Sequence, residues 1–316
     1  MARPANKSSR HFDAISFVNS FILSFILITL PIQNSYAVRA YTENFQSFVP
    51  LTLPTPPPIP ERILNLDPPA ISAEGVLITD INSNIVLYEK NPDERLFPAS
   101  TTKIMTALVS LNRYSLDDVV TIKTVIDEGQ TMDLVSGETI TVENLLYGML
   151  VYSANDAAYA LAEHHPQGVA GFVEAMNNYA QKFRLTNTHF VNPIGFDDPQ
   201  HYTTARDLTR LAQYALDHPI IAKMAGIARI TVSDTTYSRF HELKNINELL
   251  GKVPGVSGLK TGWTQVAGQA LVTTVVRDNH KVLIVLLRSE DRFGETEQLV
   301  NWIFSNHIWK NLIPPR

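Results

Sequence analysis

The sequence predicts an α+β fold, an antiparallel sheet flanked by helices with an all-helical lobe beside it. Three observations carry this reading. Apolar residues near 75–90 run in two short strand-like blocks broken by Asn82-Ser83-Asn84. From about residue 100 to 218 they recur at helical spacing, and after 230 the pattern returns to β-branched runs before one closing helix. Strands at both ends of such a chain pair with one another, so the first hairpin is expected to join the last strands in one sheet.

Taken in order, residues 1–37 set Arg3, Lys7 and Arg10 ahead of an apolar stretch from Phe21 to Leu30, then Ser35-Tyr36-Ala37. That is the form of an export signal with a small-x-Ala cleavage site, and an uncleaved anchor is its rival. Either way the rest of the chain is expected to be exported, facing the outer side of the cytoplasmic membrane, the periplasm or the wall. Between Phe48 and Ala70 fall eight of the 19 prolines. Residues 38–72 therefore read as a Pro-rich linker or as an arm lying on the domain surface.

The folded domain is expected over residues 73–309, with 310–316 as a tail. Gly75 to Asp80 and Ile85 to Lys90 form its opening hairpin. Pro98 then stiffens the approach to a helix on which Ile104, Met105, Leu108 and Val109 share a buried face. After a polar loop, Asp127 to Glu138, helices are expected at 142–151, from Ala157, at 169–184 and at 204–218. Strands follow at 230–232, 269–276 and 281–287, and Gln298 to Trp309 closes the chain as a helix.

Composition narrows the chemistry. With 316 residues, 45% hydrophobic, there is apolar material for a large core, and a net charge of −5 argues against a broad nucleic-acid surface. The absence of cysteine removes disulfides, a thiolate nucleophile and Cys-based zinc sites. The nine histidines show no ligand spacing, His164-His165 reads as a helix end, and Gly255-Val256-Ser257-Gly258 lacks a phosphate-loop signature, so neither metal nor cofactor is implied.

Chemistry concentrates in three segments. Ser100 and Lys103 lie three apart at a helix start, where side chains are neighbours and a lysine amine can activate a serine hydroxyl. Ser153-Ala154-Asn155 marks a break between helices, and Lys260-Thr261-Gly262 leads toward the strand ending near Val276. Each element alone is weak: Ser257-Gly258-Leu259-Lys260 also fits Ser-x-x-Lys, and Ser110-Leu111-Asn112 fits Ser-x-Asn. In this order and context the trio is a strong signal, and it resembles the signature of class A β-lactamases and penicillin-binding proteins. In that chemistry Ser153 and Asn155 bridge lysine, substrate amide and leaving nitrogen, while Lys260 and Thr261 receive a substrate carboxylate. Gly262 admits substrate backbone along the strand, and the backbone N–H groups of Ser100 and Trp263 are the candidate oxyanion donors.

These motifs resemble the serine-type D-alanyl-D-alanine carboxypeptidases, the low-molecular-mass penicillin-binding proteins. The resemblance extends through Ser136-Gly137-Glu138, Thr186-Asn187-Thr188-His189-Phe190, Tyr202-Thr203-Thr204-Ala205-Arg206-Asp207-Leu208 and Gly258 to Thr264. It implies a β-lactamase/transpeptidase-like fold with the active site between sheet and helical lobe. It further implies cleavage of terminal D-alanine from peptidoglycan stem peptides through an acyl-enzyme on Ser100, with Lys103 as base, and inhibition by β-lactams. A D,D-endopeptidase is the nearest rival. A β-lactamase needs a second base, and no Glu occurs between Glu174 and Glu242; a non-catalytic wall-binding module would show a decayed motif.

The chain departs from many such enzymes at Asn192-Pro193-Ile194-Gly195-Phe196, where a His is common and Ile194 and Phe196 make the loop more apolar. Asp197-Asp198 reads as a solvated turn. Many relatives continue into a β-rich second domain and an amphipathic tail, for which the residues after Gly262 leave no room. Membrane contact is therefore expected only through the N-terminal segment.

Overall fold

The computed structural model describes residues 56–312, so the expected export segment lies outside the described residues. The chain forms β1 (Ile59–Arg62), β2 (Gly75–Asp80) and β3 (Val86–Lys90), then a 3₁₀ turn, Ala99–Thr102, that runs into α1 (Lys103–Arg113). Next come β4 (Val119–Thr121), β5 (Thr139–Thr141), α2 (Val142–Val151), α3 (Asn155–Glu163), α4 (Gly168–Lys182), α5 (Ala205–Leu216) and α6 (Pro219–Ala225). The last part holds β6 (Arg229–Ser233), β7 (Phe240–Lys244), β8 (Val256–Thr264), β9 (Gly268–Arg277), β10 (His280–Ser289), α7 (Arg292–Asn306) and β11 (His307–Lys310).

The main sheet is antiparallel with strand order β3-β2-β10-β9-β8, so the opening hairpin does lie beside the last strands. Its centre explains the unbroken run Val282 to Leu287. A strand alternates its side chains between faces, and here both faces are covered. Leu283, Val285 and Leu287 enter the core shared with the helical lobe. Val282, Ile284 and Leu286 pack with Leu299, Val300 and Ile303 of α7 on the other side. Because β8 is the outermost strand, one of its edges is free to accept another chain.

Local signals fix the helix starts. The Thr141 and Thr204 side chains accept from the backbone N–H groups of Asn144 and Asp207, which caps α2 and α5. Asp291 caps α7 by accepting from Gly294. Buried Glu295 then accepts from the hydroxyls of Ser72 and Ser289, pinning the incoming chain to this helix.

Four expectations are corrected. Ser100 sits in a 3₁₀ turn rather than in the first turn of the α-helix itself. Lys260-Thr261-Gly262 belongs to its own strand, β8, separated from β9 by a turn. The closing helix ends at Asn306, because His307–Lys310 pairs antiparallel with Ile59–Arg62, within the stretch read as a linker. Pro60 is tolerated there because the ribbon has only two strands, each an edge. The helical lobe also carries two small ribbons, β4-β5 and β6-β7; the helix expected at 204–218 forms as α5, and a further short helix, α6, starts at Pro219. Among the described residues no helix is long and apolar enough to cross a membrane.

Candidate active site

Ser100 is held in a backbone that the rest of the molecule forces. The preceding Ala99 has φ of 48°, a left-handed conformation unfavourable for an L-residue with a Cβ and costing roughly 1–3 kcal/mol. Pro98 carbonyl accepts from the Thr101 hydroxyl at 2.6 Å, and the Thr102 hydroxyl meets buried His201 at 2.9 Å. On its other ring nitrogen His201 accepts from the Val191 N–H at 3.3 Å, so Nε2 carries the proton and donates to Thr102. Burial pushes the His201 imidazole down to about 4, which keeps it in that neutral form.

Lys103 is fully buried, with its Nζ 2.8 Å from Ser100 Oγ, 2.7 Å from Asn155 Oδ1 and 3.0 Å from the Ile194 carbonyl. Burial, opposed by the charge of Asp156, pushes this amine down to about 7. An NH₂ group has two donors, and Asn155 and Ile194 offer two carbonyl oxygens. In the neutral form those two oxygens take its protons and the lone pair faces Ser100.

The second motif is equally constrained. Ser153 has φ of 65°, and its hydroxyl accepts from Lys260 at 2.7 Å. Asn155 donates through Nδ2 to the Glu128 carbonyl at 2.7 Å, and its own N–H donates to the Gln130 carbonyl. The two residues therefore divide the work: Asn155 touches Lys103, whereas Ser153 touches the other lysine. Lys260 is buried on β8 and also donates to the Thr261 carbonyl at 2.9 Å. Burial first, then the positive charges of Lys103 and Arg292, lower the Lys260 amine well below its ordinary value. An anion arriving beside it would restore its charge.

Glycine governs the close approach of three segments. A Cβ on Gly262 would meet the Pro98 carbonyl at 3.1 Å and the Ser100 nitrogen at 3.2 Å, so β8 presses directly on the serine turn. A Cβ on Gly195, whose φ is 100°, would fall 1.9 Å from the Ala99 carbonyl oxygen. One on Gly129 would lie 2.7 Å from Asn155 Nδ2. The 192–196 loop gets its shape from Asn192, whose Oδ1 accepts from the N–H groups of Ile194, Gly195 and Phe196. Asp197, read as part of a solvated turn, is exposed and also accepts from Thr264 at 2.7 Å, which ties this loop to the end of β8.

All the residues singled out from the sequence come together. Ser100, Ser153, Asn155, Thr261, Gly262 and Trp263 line one cleft of about 1380 Å³, with Lys103 and Lys260 behind them. Trp263 is 63% exposed at its rim. The two decoy motifs do not assemble: Ser257 bonds Thr274 on β9, and Asn112 bonds the Leu108 carbonyl within α1.

Sequence reasoning missed Arg292, at the start of α7, which lines the same cleft and donates to the Gly262 carbonyl at 2.7 Å. The Thr261 hydroxyl and Arg292 Nε are buried without a hydrogen-bond partner, two polar atoms suited to a substrate carboxylate. The arrangement can activate a hydroxyl, receive an anion beside it and admit an extended chain along β8.

Comparisons with known proteins show the family and the fold. Residues 64–291 match the peptidase S11 family, D-alanyl-D-alanine carboxypeptidase. The chain is 35% identical over 257 residues to D-alanyl-D-alanine carboxypeptidase DacA of Haemophilus influenzae, covering 76% of this chain and 63% of that protein. It is 32% identical over 254 residues to the D-alanyl-D-alanine endopeptidase of Escherichia coli, covering 76% of this chain and 80% of that protein. The crystal structure of the Streptomyces K15 DD-transpeptidase superposes with a TM-score of 0.72 at 32% identity, covering 76% of this chain and all of that one, 100%.

Proposed function

The chain belongs to the D-alanyl-D-alanine carboxypeptidase family, peptidase S11, and from that premise we propose that it is an exported serine D,D-carboxypeptidase removing the terminal D-alanine from peptidoglycan stem peptides. The observation that carries this reading is the buried Lys103 amine, 2.8 Å from Ser100 Oγ, with two carbonyl oxygens as its other partners. As the Ser100 oxygen bonds to the penultimate carbonyl carbon, its proton passes to Lys103. The N–H groups of Ser100 and Trp263 receive the developing oxyanion. The carbon–nitrogen bond then breaks, and the proton moves through the Lys103 and Ser153 side to the leaving amine of D-alanine. Lys260, Thr261 and Arg292 hold the carboxylate of that leaving residue. Water hydrolyses the ester and returns the serine proton.

The same geometry predicts reaction with β-lactams. Their ring amide offers an equivalent carbonyl, but the leaving amine stays tethered, so the acyl-enzyme should persist. Incubation of the purified protein with a stem pentapeptide tests the reading. Release of free D-alanine by the protein, and none by a Ser100→Ala variant, is the expected result. A protein that releases no D-alanine and forms no penicillin adduct would overturn it.

A further inference from the structure

The cleft continues beyond the serine turn to a wall that includes Ala228, Arg229, Lys244, Asn245, Glu248 and Lys252. A Cβ on Gly226 would lie 3.2 Å from the Ser257 carbonyl, which places the segment entering β6 against the beginning of β8. Glu248, in the wall just before β8, is close enough for its charge to act on Arg292. Thr261 and Arg292, the proposed carboxylate holders, line the same cavity as this wall, so a leaving residue held there has the wall within the same cleft.

This wall carries an unbalanced charge. Arg229 and Lys244 are direct cross-strand partners at the end of the β6-β7 ribbon, both exposed and both lining the cleft. Like charges directly opposite in a ribbon are destabilising unless something offsets them. Within the same wall Lys252 is satisfied by Glu248 at 3.2 Å. Neither Arg229 nor Lys244 has an ion-pair partner among the described residues; Glu242, on the same ribbon face opposite Thr231, makes none with them. Asn247, also in this wall, keeps a buried side-chain nitrogen without a partner.

We propose that Arg229 and Lys244 form an anion subsite for a leaving group that bears a second carboxylate, beyond the one held at Thr261. A free D-alanine has no such group; a leaving residue that continues into an acidic peptide, as in a cross-linked strand, does. The inference rests on the D,D-peptidase reading of the site. The chemistry is unchanged: the Ser100 ester forms, the carbon–nitrogen bond to the leaving residue breaks, and its amine takes the serine proton. The second carboxylate stays ionised throughout and serves only to hold the leaving group.

The test uses two acyl-D-alanyl peptides that differ only in the leaving residue, D-2-aminoadipate against D-norleucine, which matches its length without the second carboxylate. We expect kcat/KM to favour the acidic leaving group about fivefold, the scale of two rim charges, and the preference to shrink at high salt. In an R229Q/K244Q double variant the two peptides should be cut at equal rates. The penicillin acylation rate reports whether the variant is folded; if it is not, the salt dependence of the ratio in the unmodified protein decides. Equal rates in the unmodified protein, or a preference that survives the double substitution or high salt, overturn the subsite alone. Failure to cut either peptide, with no penicillin adduct, would overturn the D,D-peptidase reading instead.

Discussion

In the mechanism proposed above Lys103 is the base, because burial lowers its amine to a pH range where a base is needed. Its amine lies near 7, below the ordinary lysine value, so the active neutral form is lost as pH falls. The rate constant for acylation should therefore fall about tenfold per unit below pH 7 and level off above it, in a pH series followed by stopped-flow with a chromogenic β-lactam. A Lys103→Arg variant carries a permanent charge and has no free lone pair to accept a proton, so it should lose roughly 10²–10⁴-fold in that rate. A flat profile between pH 5 and 8 would contradict this assignment of the base. Ser100, Lys103, Ser153, Asn155 and Lys260 were legible in the sequence because their residue types and spacing mirror the chemistry. Arg292 was not, since it lies 30 residues from Gly262 and only the return of the chain into α7 brings it back.

At the level of elements, the site is a meeting of a 3₁₀ turn, a helix break, an edge strand and the 192–196 loop. Gly195 shows how little slack that meeting has, with a left-handed backbone and no room for a Cβ against the Ala99 carbonyl. A Gly195→Ala substitution should displace the loop, remove the Ile194 carbonyl from Lys103 and slow penicillin acylation at least tenfold, with a loss of about 1–3 kcal/mol in denaturant unfolding. Unchanged acylation would mean that the loop does not position the base. Such glycines escape sequence reading because their neighbours are distant in the chain. The opening hairpin, by contrast, was readable from two strand-like blocks around an Asn-rich turn. The ribbon of β1 and β11 was hidden by prolines at one end and a helical pattern at the other, and only their mutual pairing makes either a strand.

Across the whole molecule, one sheet serves two cores. The faces of β10 divide its apolar run between the helical lobe and α7, which makes the sheet the fixed wall against which the serine turn is set. The order of strands and helices along the sequence was enough to infer this, because chain ends that are both strand-like have few other ways to bury their faces. The central claim is that this architecture brings one hydroxyl, one uncharged amine and one anion-binding strand into a single reactive cleft. Mass spectrometry of the intact protein after exposure to benzylpenicillin, followed by peptide mapping, tests it most directly. We predict a single long-lived acyl adduct on the peptide containing Ser100, absent from a Ser100→Ala variant; no adduct, or one mapped to another serine such as Ser257, would contradict the account.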